Sequence, residues 1–253
     1  MQELIESLLK KESYNVYDLA DIVKVLRSEN GCPWDKVQTH QTIRKDLLEE
    51  VYEVMEAIDC DDPAMLREEL GDVLLQVVFH CSIEQDKGNF DLDAAADEVC
   101  KKLILRHPHV FGDVKADTVD KVLTNWDAIK KEEKGQESFT DTLKSVPKVF
   151  PSLMRAQKLT KRASRAGAEL DKNTAAAMIR KQLDIIEGQE NVSSDTLGNM
   201  LMLTAQLCRL TGNDAEEALG YECDSFTERF EKLEQSGRDI SANAAELYSA
   251  INE

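Results

Sequence analysis

Residues that break helices are scarce in this chain. Only five prolines and eleven glycines punctuate 253 residues, and alternating β-branched runs are few, so extended sheet is not expected. No segment approaches the roughly eighteen consecutive apolar residues that a membrane-spanning helix needs. The amino terminus lacks a basic stretch followed by an apolar one, so no secretory signal is expected. Six cysteines form neither a CxxC pair nor a zinc-like spacing. They fit a reduced, cytoplasmic compartment better than a disulfide framework, and Cys81, Cys100 and Cys208 fall in apolar helical patterns as small core residues. Positive charge is short as well. With 31 Lys and Arg against 49 Asp and Glu, the net charge is −18, which argues against the basic stripe that a nucleic-acid surface requires.

What remains is 42% hydrophobic and 32% charged, largely in Glu-, Lys-, Leu- and Ala-rich stretches. The reading is all-α, as one large domain or two of ordinary size. The stretch Leu47–Phe79 organises it. Leu47, Leu48, Val51, Val54, Met55 and Ile58 recur at helical spacing, and so do Leu66, Leu70, Val73, Leu74, Val77 and Val78. Between the two runs lies Asp59-Cys60-Asp61-Asp62-Pro63. Asp62 suits an N-cap and Pro63 a first helical turn, so the spacing predicts a helical hairpin.

The carboxylates follow that hairpin. Glu50 and Glu53 share one helix face, and Glu69 and Asp72 share another. Glu53 precedes Asp61 by eight residues and Glu69 follows it by eight, so in an antiparallel hairpin the two face each other. Glu50 then opposes Asp72 one turn deeper. Gathered acids repel and raise one another's pKa unless a cation sits among them. Oxygen ligands without Cys or His suit Mg²⁺, with Mn²⁺ as a substitute. A solvated acidic face is the commoner fate of such runs. Against it, the second helix is nearly apolar all round, a pattern that predicts burial and therefore partners for Glu69 and Asp72.

Elsewhere the chain reads as a succession of helices. Residues 1–16 predict a short helix or arm. Asp18 caps a helix that ends at Asn30-Gly31, and Cys32-Pro33-Trp34-Asp35 makes a turn in which Trp34 either packs or rims a pocket. Thr39 or Thr42 opens the first hairpin helix. After a break at Gly88-Asn89, Asp91 caps a helix to Arg106 on which Lys102 and Arg106 share a face. Such a pair is ordinarily two snorkelling cations. Pro108 stops that helix, and His107 and His109 beside it read as structural hydrogen-bonding residues. Thr118 starts a helix through Leu123, Trp126 and Ile129 with Lys130 and Lys131 beyond it, and Trp126 fits the core seam. The pattern lapses from Glu132 to Val146. Five further helices follow, near 151–166, 174–189, 194–210, 214–235 and 242–251, in an order that mirrors the first half and suggests a tandem repeat.

The pattern Glu49-Glu50-x-x-Glu53, followed by Glu69-x-x-Asp72 in a Gly-Asp-containing helix, resembles the all-α nucleoside triphosphate pyrophosphohydrolases of the MazG family. Cys32-Pro33-Trp34-Asp35, Arg106-His107-Pro108-His109-Val110-Phe111 and Leu153-Met154-Arg155-Ala156-Gln157-Lys158 resemble the same family in the same order. The resemblance implies Mg²⁺ held by Glu50, Glu53, Glu69 and Asp72, and Glu49, next to the cluster but about 100° around the helix, is expected to orient or deprotonate the attacking water. The resemblance also implies that Lys102 and Arg106 hold the triphosphate, that Trp126 stacks on the base, and that hairpins pair between subunits into a four-helix bundle. The expected reaction releases a nucleoside monophosphate and pyrophosphate. A homodimer is expected, covering the apolar run Val73–Phe79, which the second half of the chain in cis would otherwise cover.

In the second half the acids are gone. Lys181-Gln182-Leu183-Asp184 stands in place of the first acidic motif and Thr196-Leu197-Gly198-Asn199 in place of the second, while Ser225 and Arg229 replace Lys102 and Arg106 and Tyr248 replaces Trp126. The organisation expected is a domain at 1–135 with an intact site, a linker at 136–150 and a domain at 151–253 with a degenerate one. Two other classes compete. A carboxylate-bridged di-iron protein needs Glu-x-x-His pairs, and the chain has none. A non-catalytic nucleotide-binding or scaffold protein is distinguished by whether pyrophosphate is released.

Overall fold

A computed structural model describes residues 1–115, 117–119, 121–122, 125–126, 129, 133 and 138–248. Among these residues there is helix and no strand, and no helix is long and apolar enough to cross a membrane. The chain divides into two compact units, Met1–Ile129 and Lys130–Glu253.

The first unit begins with α1 (Gln2–Leu9) and α2 (Val16–Arg27). Asn15, not Asp18, caps α2. The Asn15 side chain accepts from the backbone of Tyr17 and Asp18, and Asp18 returns a bond to the Asn15 N–H, closing a capping box. Apolar spacing alone places the start three residues late because Val16 and Tyr17 do not face the core. The helix ends at Arg27, and Gly31 serves a different purpose from a left-handed stop. The Cys32 N–H reaches back to the Leu26 carbonyl at 2.8 Å, and a Cβ on Gly31 would collide with the Val25 and Leu26 carbonyl oxygens. Gly31→Ala is therefore expected to cost on the order of 1–3 kcal/mol, as overpacking against rigid backbone does. A chemical-denaturation midpoint equal to that of the parent would contradict this close approach.

A short helix, α3 (Pro33–Lys36), leads to α4 (Arg44–Asp59) and α5 (Pro63–Asp86), the predicted hairpin. Neither Thr39 nor Thr42 caps α4. They form a turn on each other, and Ile43 stands at the N-cap without a side-chain bond. At the hairpin tip Asp61 adopts a left-handed φ of 51°, a conformation Asp tolerates better than most side chains, and Asp62 accepts from Ala64 and Met65 as expected. The core of this unit is Val23, Ile43, Val78, Phe79 and Ile83, with Leu19, Ala20, Leu75 and Leu92 against it. Each of the five buried residues contributes about 1.5–3 kcal/mol. Arg27 ties α2 to α5. Its guanidinium bonds Ser82 Oγ at 3.0 Å and Asp86 at 2.6 Å and lies over the Phe79 ring.

The burial expected along all of α5 is confined to its second half. Leu70, Leu74 and Val77 are exposed, Val77 at 41%, because α2 and α6 (Leu92–Arg106) pack on α5 near its distal end. Gly88 and Asp91 end one helix and cap the next as expected, and a single turn, α7 (Pro108–Phe111), follows Pro108. Cys81 is buried, but Cys100 is exposed on the outer face of α6, since the wet side of that helix carries apolar residues too. Of the helix expected from Thr118, Leu123, Lys130 and Lys131 lie outside the described residues.

In the second unit, α8 (Phe139–Lys144) occupies part of the stretch expected as linker, with a Ser138–Asp141 capping box. Arg162 of α9 (Ser152–Ser164) holds it by bonding the Thr142 carbonyl and Ser145 Oγ. Residues 136–137 lie outside the described residues. Then come α10 (Lys172–Glu187), α11 (Ser194–Leu210), α12 (Ala215–Gln235) and α13 (Ala244–Tyr248). The core here is small: Ala156, Ala205 and Ala215 let α9, α11 and α12 approach closely, with Leu153, Met202 and Cys208 around them. Gln157 locks that approach, donating to Asn213 O at 2.9 Å and accepting from Ala215 N at 3.1 Å. The Leu153–Lys158 motif is thus at least partly a packing device, with Gln157 buried at its centre.

Candidate metal centre

The hairpin brings the acids together. One carboxylate oxygen from each of Glu50, Glu69 and Asp72 lies within 4.8 Å of the others. Glu53 stands in hydrogen-bonding reach of both Glu50 and Glu69. All four are half-buried. Burial raises the pKa of Glu50, and the Asp72 and Glu53 carboxylates add to the rise. Burial also raises Glu69, with Glu53 its strongest acidic neighbour. Asp72 and Glu53 both act on Glu50, and Glu53 acts on Glu69 from the facing helix. Two carboxylates can share a hydrogen bond only by sharing a proton, and otherwise need a cation between them. Half-buried oxygen donors at this spacing, without sulfur or imidazole, fit a hard divalent cation.

Glu49 is exposed and turned away from the three closest acids. It lines a groove of 510 Å³ along α4 with Lys45, Leu48, Tyr52, Glu53 and Glu56. Glu53 therefore borders both the cluster and the groove. Sequence reasoning missed this groove, although the i, i+3, i+4 spacing of its residues from Lys45 onward places them on one stripe.

The other site residues stand on α6 and beyond. Lys102 pairs with Glu98 one turn earlier at 2.6 Å. The Arg106 guanidinium lies over the Trp126 ring, 5.5 Å from its centroid, a cation–π arrangement. Trp126 is half-buried, and the structure places it beneath Arg106. Trp34 is exposed at 59%. His107 Nδ1 meets the Leu103 carbonyl at 2.6 Å, as a structural histidine does, whereas His109 Nδ1 is buried without a hydrogen-bond partner among the described residues. In the second unit Asp184, Lys181 and Asn199 make no acidic cluster. Arg229 there bonds the Leu247 carbonyl at 2.9 Å, next to Tyr248, whose ring meets Phe226.

Residues 38–111, which include Glu49, the four acids, Lys102 and Arg106, match the family model of the MazG nucleotide pyrophosphohydrolase domain. The nucleoside triphosphate pyrophosphohydrolase of Escherichia coli K12 is 39% identical over 240 residues, 90% of this chain and 89% of that protein. The nucleoside triphosphate pyrophosphohydrolase/pyrophosphatase MazG of Thermotoga maritima is 35% identical over 86% of this chain and 85% of its own length. A nucleoside triphosphate pyrophosphohydrolase of Mycolicibacterium smegmatis is 40% identical over 152 residues, 59% of this chain and 47% of that protein. Similarity running along nearly the whole chain, together with a matched domain that holds the acidic hairpin, makes this protein a member of the MazG family.

Proposed function

We propose that the protein hydrolyses nucleoside triphosphates to nucleoside monophosphate and pyrophosphate with Mg²⁺, in the cytoplasm, as control of the nucleotide pool. The observation that carries this reading is the convergence of Glu50, Glu69 and Asp72, with Glu53 beside them. These four would hold the metal, which when bound polarises a phosphoryl oxygen and lowers the pKa of a coordinated water. Glu49, next to the cluster in sequence but about 100° around the helix and beside Glu53 in the groove, would have to reach round to orient the attacking water or take its proton. Lys102 and Arg106 would neutralise the β and γ phosphates. Lys102 must exchange Glu98 for phosphate to do so, a small loss for a solvated pair. Arg106, whose guanidinium lies over Trp126, would meet a phosphate edge with its planar fork.

The catalytic domain in this proposal is 1–135, joined through 136–150 to a second, degenerate copy at 151–253. The protein acts as a homodimer and presents no nucleic-acid surface. Incubation with a panel of nucleoside triphosphates and Mg²⁺, scored for pyrophosphate against phosphate, tests the reading. Release of phosphate alone, or of neither product, overturns it and leaves a nucleotide-binding or scaffold role.

Metal should also appear in stability. The raised pKa values of Glu50 and Glu69 mean that the folded state resists their ionisation. Their cost is absent below the ordinary carboxylate range, grows as pH rises through it, and is full above the folded-state values. A bound cation offsets it. At a concentration of 100 times Kd the gain is about 2.7 kcal/mol, so the melting temperature is expected to rise by a few degrees with millimolar Mg²⁺ or Mn²⁺ at pH 7.5 and hardly at pH 4. Equal shifts at both pH values would count against the cluster.

A further inference from the structure

A second polar cluster sits at the far end of α5. His40, in the turn before α4, stacks on His80 of α5 with ring centroids 5.0 Å apart, and their Nδ1 atoms are separated by 2.7 Å. On its other side His40 Nε2 lies 2.6 Å from Glu84 Oε1. Glu84 also accepts from Lys87 Nζ at 2.6 Å and Asn89 Nδ2 at 2.7 Å.

The proton positions follow from these partners. Bonds from Lys87, Asn89 and His40 hold the Glu84 carboxyl down to about 2, so it is ionised and can only accept. His40 Nε2 must therefore carry a proton. With His40 neutral, its Nδ1 accepts from His80 Nδ1–H. With His40 protonated, its Nδ1 donates and the His80 Nδ1 accepts. One imidazolium leaves every bond intact. Two would set N–H against N–H.

Position gives the relay its consequence. No side chain caps α4, so its start is held by the Thr39–Thr42 turn, by Ile43, 2% exposed in the core, and by the contacts of His40, which lies within that turn. The α4–α5 hairpin is thus fixed at one end by the Asp61–Asp62 turn and at the other by His40, with Glu50, Glu53, Glu69 and Asp72 between. Asp72, Gln76, His80 and Glu84 follow at intervals of four along one stripe of α5, and Gln76 Oε1 on it is buried without a partner among the described residues.

We propose that His40, His80 and Glu84 are positioning residues for the hydrolytic site: a clasp that holds the two metal-bearing helices in register while it carries at most one imidazolium, and opens when both rings are charged. The proposal rests on the pyrophosphohydrolase reading for its effect on turnover and is independent of it for the clasp itself. Burial first, and then the His40 ring, lower the affinity of His80 for its proton. Other charged groups on the packed elements include Arg44, Lys45 and Asp46 at the start of α4, Asp21 and Lys24 of α2, Arg27 with Asp86 where α2 meets α5, and Lys87, Asp91 and Asp93 at the turn to α6. Arg27 is engaged by Asp86, and Lys87 by Glu84.

The sign is fixed by these directions. Below about 6.5 the unfolded chain binds a proton that His80 in the folded chain resists, so stability falls as pH drops through 6.5 toward the lower folded value. The Glu84 contribution is present above 4.5 and is lost only as pH falls toward about 2. The two windows are separate.

The test uses the full chain and His80→Asn, in which an amide stands near the Nδ1 position and cannot titrate. Three measurements are made between pH 5 and 8: imidazole nitrogen NMR, melting temperature, and kcat/KM for pyrophosphate release at saturating Mg²⁺. His80 is expected to titrate below its ordinary value, with the His40 signals changing when His80 is replaced. The variant should lose the decline in melting temperature below 6.5. The acid limb of its kcat/KM should move down by about one pH unit while the rate at pH 8 stays within about threefold. Two histidines titrating independently, with the melting profile unchanged in the variant, would overturn the clasp. An NMR coupling without any change in the acid limb of an active enzyme would overturn its role in positioning. Absence of turnover in the parent, with NMR and melting as expected, would sink the pyrophosphohydrolase reading and keep the clasp.

Discussion

Glu69→Gln and Asp72→Asn are expected to lower pyrophosphate release by roughly two orders of magnitude or more, since a metal supplies several kcal/mol at the transition state and each ~1.4 kcal/mol is tenfold. The folded protein should not suffer. Glu69 is held above its ordinary pKa by burial and by Glu53, Glu68 and Asp72, so removing its charge relieves repulsion. In chelator near neutral pH the variants should melt no lower than the parent, and Glu69→Gln should melt higher. Loss of activity combined with equal or greater stability is a signature that damage to packing cannot produce. Asp184→Asn, in the second unit, should leave turnover within about threefold, because surface changes away from a site are mild. Equal losses in the two units would mean that the acidic hairpin is not the working centre. Millimolar Mg²⁺ should raise the melting temperature of the parent and much less that of either variant.

Val77→Asp is expected to halve the particle and abolish most turnover. In the single chain Val77 is 41% exposed, Leu70 51% and Leu74 38%, and across the hairpin Met55 and Ile58 are exposed as well. An apolar strip of this kind on two adjoining helices calls for a partner surface, and pairing with the same strip of a second chain would close a four-helix bundle around two metal centres. A carboxylate placed there by each chain would meet its symmetry mate in a desolvated seam. Light scattering should give about twice 28.5 kDa for the parent and 28.5 kDa for the variant. A parent mass near that of one chain would remove the dimer, and a dimeric, active Val77→Asp would place the interface elsewhere.

The elements that sequence located best were those fixed by one local signal. Asp62 with Pro63, and Asp91 after Gly88, mark helix starts by capping chemistry, and both were legible. The opposition of Glu50 to Asp72 and of Glu53 to Glu69 followed from counting out from Asp61, because a short antiparallel hairpin has one register. Features that depend on what packs where were not legible. The apolar spacing of α5 gives no sign that its first half stays exposed, since that depends on α2 and α6 covering the distal end. Cys100 was misplaced for the same reason. Asp18 reads as a cap until Asn15 is seen to hold that place and Asp18 the reciprocal one. The His40 relay was missed although His80 and Glu84 are four apart on a helix. Its third member comes from an irregular turn, and no periodicity speaks for a turn. The placing of Arg106 over Trp126 is likewise a matter of tertiary approach, which spacing within α6 cannot supply.

The arithmetic of the hairpin also bears on how such a chain can change length over evolution. A residue inserted within α4 between Glu53 and its end, or within α5 before Glu69, rotates everything beyond it by about 100° and scatters the four acids to different faces. Additions inside the helices are therefore tolerable in steps near seven residues, two turns that bring the face back to within ~20°, and only when both helices grow together. The tip around Asp61 escapes this rule, because a surface connection can swell without turning the helices it joins. Relatives should then differ freely in the number of residues between the two acidic motifs while keeping the interval of three within each. Length variation across this family would be read as silent at the tip and as a frame shift anywhere else in the hairpin.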